Sequence, residues 1–276
     1  MRSTFLYIGG GNMAKAMISG AIRAGIHASS DVTVAELDET KHHTLRAMGV
    51  HVFSDARRAV ENDAGSTIIF AVKPQSFSEL AVALAPALSR SPRLVLSVMA
   101  GIRSATILPH LHEDSRLIRI MPNLPSQIGA GATAVAPSRG ATQEDLAFAD
   151  ALARALGPVV VRMQEDMIDA FTALAGSGPA YVFYLAEAMM NAAYKLGFTP
   201  ADARRIVAQT IFGAAAMMQP NEVDPAALRA AVTSKGGTTQ AATDHMDKGD
   251  VMNVIAQAIL AAERRGRELG GREHGA

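Results

Sequence analysis

The chain contains no cysteine, which excludes disulfides, thiol nucleophiles and thiolate metal sites and fits a reducing compartment. It also lacks any charge imbalance. Its 26 Lys and Arg are matched by 26 Asp and Glu, so no long-range field recommends nucleic acid or an anionic membrane as partner. No uninterrupted apolar run approaches the roughly 18–20 residues of a membrane span. The first strand-like run begins so close to Met1 that no targeting segment fits before it, and a cytoplasmic location is expected. The eight histidines form no H-E-x-x-H metal motif, and there is no G-x-S-x-G nucleophile elbow, so neither a metal nor a serine nucleophile is expected. What remains is a chain of 276 residues, 49% of them hydrophobic, which is enough for two ordinary domains acting on a small molecule.

The stretch from Phe5 to Gly20 organises the first half. An apolar run, Phe5 to Ile8, stops at three glycines, and a helix-compatible segment follows from Asn12 to Arg23, with Gly25 as its C-terminal cap. Strand, glycine turn and helix in this order form a G-x-G-x-x-A fingerprint for a dinucleotide. Gly9 allows the tight turn, Gly11 lets a pyrophosphate approach the backbone, and Ala14 keeps the helix close to the strand. The helix start offers free N–H groups and a partial positive charge to the phosphates. A second short strand, Val32 to Ala35, ends at Glu36, about twenty positions on, where such folds grip the adenosine ribose. Asp38 is the fallback, and an ordinary solvated strand-end glutamate is the plain alternative.

Strand and helix signals then alternate: helix from Glu39 to Met48, strand from Val50 to Phe53, and strand from Thr67 to Val72 running into Lys73-Pro74-Gln75. Alternation of this kind predicts a mostly parallel, doubly wound sheet. Pro74 suits a first helical turn, while Lys73 is either a ligand-facing cation or a solvated strand end. A strand from Leu94 to Val98 leaves through Met99-Ala100-Gly101, small enough for a flat ring to lie against backbone. Arg116 to Met121 leads into Pro122-Asn123-Leu124-Pro125, either a plain turn or a stiff loop that aims the Asn123 amide. The last two strands are expected at Gly131 to Ala136 and Gly157 to Val161, with a capping box at Thr142 and Asp145 between them.

Beyond about Met163 every segment reads as helix, which divides the chain into an α/β domain over 1–163 and an all-α domain over 164–276. Thr199-Pro200 and Asp224-Pro225 mark helix starts. The segment Ala180 to Ala193 is apolar almost all round and needs cover on every side, which either a second copy of the chain or burial within its own monomer would supply. In Thr233-Ser234-Lys235-Gly236-Gly237-Thr238-Thr239, two glycines before a helix start expose N–H groups and the hydroxyls add donors, either as a second anion site or as a turn with a cap.

Taken together, these residues resemble the Δ1-pyrroline-5-carboxylate reductase family. The resemblance runs nearly end to end through I-G-G-G-N-M-A, A-V-K-P-Q at Ala71 to Gln75, S-V-M-A-G at Ser97 to Gly101, R-I-M-P-N-L-P at Arg119 to Pro125, A-G-S-G-P-A-Y-V-F at Ala175 to Phe183 and T-S-K-G-G-T-T at Thr233 to Thr239. It implies an N-terminal Rossmann domain, a helical domain that interlocks in a homodimer or larger homo-oligomer, and NAD(P)H-dependent reduction of a cyclic imine to L-proline. By resemblance, Gly9, Gly11, Asn12, Met13 and Ala14 hold the pyrophosphate. Ala71, Val72, Lys73 and Pro74 line the nicotinamide side together with Val98, Met99 and Ala100. Ser234 and the backbone at Gly237 and Thr238 take the substrate carboxylate, Asn123 joins the substrate-binding set, and the catalytic Thr239 hydroxyl reaches the ring nitrogen. Two residues depart from the family pattern: Lys235 where many members have proline, and Glu36 where many carry a residue suited to a 2′-phosphate, which favours NADH over NADPH. A dehydrogenase of the 3-hydroxyacid type would need a lysine early in its first long C-terminal helix, and here none precedes Lys195. A non-catalytic NAD-binding sensor remains open on sequence alone.

Overall fold

The computed structural model describes residues 5–62, 67–219 and 224–272. Eight strands form one sheet: β1 (Phe5–Ile8), β2 (Val32–Ala35), β3 (His51–Phe53), β4 (Thr67–Phe70), β5 (Leu94–Ser97), β6 (Arg116–Met121), β7 (Ala132–Pro137) and β8 (Val159–Arg162). Their spatial order is β3-β2-β1-β4-β5-β6-β7-β8. The chain starts in the middle, winds out to one edge, then returns past β1 to build the other half. That is the doubly wound Rossmann arrangement, with its switch point between β1 and β4. All pairs are parallel except β6 with β7.

Helices α1 (Asn12–Arg23), α2 (His42–Ala47), α3 (Ala56–Glu61), α4 (Phe77–Leu88), α5 (Ser104–Ile107) and α6 (Gln143–Arg154) connect the strands. Alternation along β1 explains how both faces are filled. Phe5 and Tyr7 join a cluster with Met17, Ile18 and Leu152, whereas Leu6 and Ile8 join Phe70, Phe77 and Leu84. The anticipated capping box is formed: Thr142 Oγ1 accepts the Asp145 N–H at 3.1 Å and Asp145 Oδ2 accepts the Thr142 N–H at 2.9 Å.

The expected boundary at residue 163 marks where the sheet ends, not where the first compact unit ends. That unit runs to Ser177 and takes in the chain again from Ala262. The reason is packing. In α7 (Ile168–Phe171), Ile168 is fully buried against Ala134 and Ala136 of β7. The π-helical turn Thr172–Gly176 follows directly, and in α12 (Val251–Arg272) Gly266 passes beside Asp169.

The second unit, Gly178–Ala261, holds α8 (Gly178–Lys195), α9 (Pro200–Met218), α10 (Pro225–Ala231), α11 (Thr238–Lys248) and the first part of α12. Thr199 and Asp224 cap α9 and α10 ahead of their prolines, as the sequence indicates. Helix α8 has no buried residue, and Tyr184 and Phe212 are 76% and 67% exposed. Exposure of large apolar side chains on this scale marks an interaction surface. Among the described residues, no helix is long and apolar enough to cross a membrane.

Candidate active site

The register of the sheet lays out the candidate cofactor residues. Ile8 is level with Ala35 and with Phe70, and Phe70 is level with Ser97. Gly9, Glu36, Ala71 and Val98 are therefore each the first residue past one straight row of strand ends. The ladder continues one step into them: Gly9 N–H donates to Ala35 O at 2.8 Å, Ala71 N–H to Ile8 O at 2.8 Å, and Val98 N–H to Phe70 O at 3.0 Å. Four segments named from sequence thus share the carboxyl edge, on which open α/β sheets bind ligands.

Within the β1–α1 turn the glycines divide their work. Gly9 has φ +101°, and a Cβ there would meet Ala71 C and O at 2.7 Å, so this position serves close passage against the β4 exit as well as the turn itself. Around a Cβ on Gly11 there is nothing within 4 Å, which leaves room for a phosphate. Gly11 is also the N-cap of α1 and supplies no side-chain cap, so the first-turn N–H groups from Asn12 to Ala14 stay open to an anion. Asn12 is exposed, Met13 leans on the core, and Ala14 is fully buried between helix and strand. The loop fits a dinucleotide pyrophosphate.

Glu36 is more engaged than a ribose-gripping side chain needs to be. It is 9% exposed. Its Oε2 accepts the Gly10 N–H at 2.8 Å, its Oε1 accepts the Asp38 N–H at 2.9 Å, and Lys41 Nζ lies 3.3 Å from Oε1. Burial pushes the carboxyl pKa up, but these donors outweigh it and hold the group below its usual value. Lys41, close enough in sequence to be expected to soften the charge of Glu36, also pairs with Asp38 at 3.3 Å.

Past the end of β4, Pro74 opens a short 3-10 turn as the sequence suggests, and Lys73 is exposed at its start. Met99 is 2% exposed and its side chain packs in the core. Asn123 departs from expectation. Its Nδ2 donates to Ala175 O at 3.0 Å and its Oδ1 accepts the Ala132 N–H at 3.0 Å, so the amide clamps the start of β7 to the π-helical turn, and much of its bonding capacity is used internally.

The second unit keeps Ser234 to Thr239 together as a glycine turn entering α11. Gly236 has φ +73°, and its N–H donates to Gln240 Oε1 at 2.6 Å. The Gly237 N–H, expected to face a carboxylate, is bonded instead to Ser234 O at 3.0 Å. Gly237 is the N-cap of α11 and brings no side-chain cap, so the donors left for an anion are the N–H groups of Thr238 and Thr239 with the neighbouring hydroxyls. Among the described residues, no group of three or more His, Asp or Glu is placed to hold a metal.

Comparison with known proteins agrees with this arrangement. Residues 4–101 match the family model described as NADP oxidoreductase, coenzyme F420-dependent, and residues 165–269 match pyrroline-5-carboxylate reductase dimerisation. The pyrroline-5-carboxylate reductase of Arabidopsis thaliana is 34% identical over 264 residues, 95% of this chain and 94% of that protein. Among solved structures, the pyrroline-5-carboxylate reductase of Coxiella burnetii superposes with a TM-score of 0.85 at 34% identity, covering 98% of this chain and 99% of its own. The Plasmodium falciparum enzyme with NADP bound has a TM-score of 0.86 at 22% identity, covering 98% of each chain, and supports the fold alone. With a glycine turn, a row of strand ends and a helical second unit that agree with relatives along almost the whole chain, this protein belongs to the pyrroline-5-carboxylate reductase family.

Proposed function

We propose that the chain reduces Δ1-pyrroline-5-carboxylate to L-proline with a nicotinamide cofactor, the last step of proline biosynthesis. The observation that carries this reading is the open Gly11 and uncapped α1 start at the row of strand ends, in a chain similar to these reductases along nearly its full length. When bound, the cofactor supplies hydride to the imine carbon. The chain's own task is to position the reactants. Gly9 to Ala14 hold the pyrophosphate, and the backbones of Ala71–Pro74 and Val98–Ala100 form flat walls for the ring. The Ser234 hydroxyl and the Thr238 N–H take the substrate carboxylate, with Gly237 shaping the turn. Thr239 holds a hydrogen bond at the ring nitrogen as it becomes an amine.

NADH is the preferred cofactor in this proposal, because the Glu36 carboxylate stands where a 2′-phosphate would approach. The exposed apolar face of the second unit argues for a homodimer or larger homo-oligomer. A cytoplasmic setting rests on the cysteine-free sequence. The test is steady-state turnover of pyrroline-5-carboxylate with NADH and with NADPH, alongside proline-dependent reduction of the oxidised cofactor at alkaline pH. Absence of turnover in both directions overturns the enzyme assignment in favour of a cofactor-binding sensor.

A further inference from the structure

A buried arginine of the sheet forms an ion pair that the reaction as described does not use. Arg119 lies on β6, level with Ser97 of β5, and its side chain is 3% exposed. Its Nη2 donates to Met99 O at 3.2 Å and its Nη1 to Glu165 Oε1 at 3.1 Å. The same Glu165 oxygen accepts the Ser104 N–H at 2.7 Å. Met99 and Ser104 are the two ends of the loop that leaves β5 and enters α5. One ion pair, with its arginine buried and its glutamate 29% exposed, therefore grips both ends of that loop, the first through a carbonyl and the second through an amide.

Stability alone is a weak reason for such a pair. Burial pushes the guanidinium pKa down against the pull of Glu165, and apolar side chains of similar volume commonly fill such a space without loss. An apolar replacement would, however, leave the Met99 carbonyl and the Ser104 amide without these partners and free to move. We infer that Arg119 and Glu165 are positioning residues that set the Met99–Ser104 backbone against the nicotinamide half of the cofactor. The inference rests on the assignment of Val98–Ala100 to the nicotinamide side.

The experiment measures equilibrium binding of NADH and of ADP-ribose, which lacks the nicotinamide, to the purified full-length protein. Arg119→Lys keeps a cation beside Glu165 but cannot also hold the Met99 carbonyl with a planar fork. It is expected to weaken NADH about tenfold, in line with loss of one charge-assisted hydrogen bond, and to leave ADP-ribose within about twofold. Glu165→Gln, which keeps the acceptor and removes the charge, is expected to show the same selectivity more weakly, and it decides the matter if Arg119→Lys does not fold. Ala100→Leu tests the underlying assignment by filling the loop face, and it should weaken NADH alone. If Ala100→Leu weakens NADH while folded Arg119→Lys binds it as wild type, the positioning role is overturned and the site assignment stands. If Arg119→Lys weakens both ligands equally, its role is general packing and the inference is overturned. If Ala100→Leu binds NADH as wild type, the assignment of the loop falls and the inference falls with it.

Discussion

The Glu36 carboxylate accepts the Gly10 N–H at 2.8 Å, so the acidic end of β2 and the middle glycine of the β1–α1 turn are mechanically one piece. A substitution at Glu36 therefore alters both the charge at the end of β2 and the support of the β1–α1 turn, which under the proposed function are the ribose contact and the phosphate loop. Like charges about 4 Å apart cost on the order of 4 kcal/mol at an effective dielectric near 20, before screening. Glu36→Ser should shift the ratio of kcat/KM values toward NADPH by at least about tenfold while raising KM for both cofactors. An unchanged ratio would mean that the carboxylate faces away from the 2′ position.

Lys41 sits 3.3 Å from both Glu36 and Asp38 and, under the proposed function, would offset part of that repulsion. Lys41→Ala should deepen the preference for NADH, the opposite direction to Glu36→Ser. Kinetics with both cofactors at two salt concentrations check this, since screening shrinks the effect if it is electrostatic.

Thr239→Val keeps the shape of the side chain and removes its hydroxyl. A neutral hydrogen bond that strengthens in the transition state is worth about 1.5–3 kcal/mol, so kcat should fall by roughly ten- to a hundredfold with cofactor binding intact. Under the proposed function, Ser234→Ala removes a contact to a carboxylate whose charge is the same before and after reaction, so KM should rise more than kcat falls. Wild-type turnover by folded Thr239→Val sinks the role assigned to its hydroxyl.

His27 is 4% exposed, its ring stacks on Phe5 at 3.7 Å between centroids, and its Nε2 lies 3.3 Å from the Tyr7 hydroxyl. Burial lowers its pKa to about 4, against smaller opposing effects of Ile26 and Asp31. In the unfolded chain the ring titrates near 6.5. Above that pH both states are neutral and nothing is gained or lost. Between about 6.5 and 4 the unfolded state binds the extra proton, so stability falls as pH falls. The total loss below the folded pKa is at most about 3 kcal/mol. His27→Gln should flatten this part of the profile in urea titrations at pH 7, 5.5 and 4, and identical slopes for the two proteins would contradict it.

Apolar exposure on α8 and α9 leads to an expectation about assembly. Light scattering at micromolar concentration should give at least twice the 28.9 kDa of one chain. Tyr184→Glu combined with Phe212→Glu should weaken the assembly if these faces form the contact, and a compact wild-type monomer would dismiss it.

Local signals carried much of the architecture into the sequence. Phe5 to Arg23 reads as strand, turn and helix because apolar β-formers, three glycines and a helix-compatible run follow one another, and Thr142, Thr199 and Asp224 announce helix starts through their own backbone bonds. Long-range pairing was not legible. Nothing local to Ala132–Pro137 says that β7 runs antiparallel to β6, and nothing in Ile168 says that it belongs with Ala134 and Ala136. The partners of Glu36 and Gly237 were likewise hidden, since each bonds a backbone group whose orientation only the folded turn defines. Arg119 reads in sequence as a polar interruption of an apolar strand, and its function emerges only when Met99 and Glu165 come beside it.

The straight row from Ala35 through Ile8 and Phe70 to Ser97 implies that this site is graduated like a ruler. A slip of one residue in any strand would carry its exit loop about 3.3 Å along the sheet, as far as the whole separation across which reacting atoms must meet. The tolerance of the chemistry is thus written into main-chain spacing as well as into side chains. Relatives can replace about two residues in three, as at 34% identity, and still superpose with a TM-score of 0.85. Insertions should accordingly be borne at the opposite ends of these strands, where no distance is being kept.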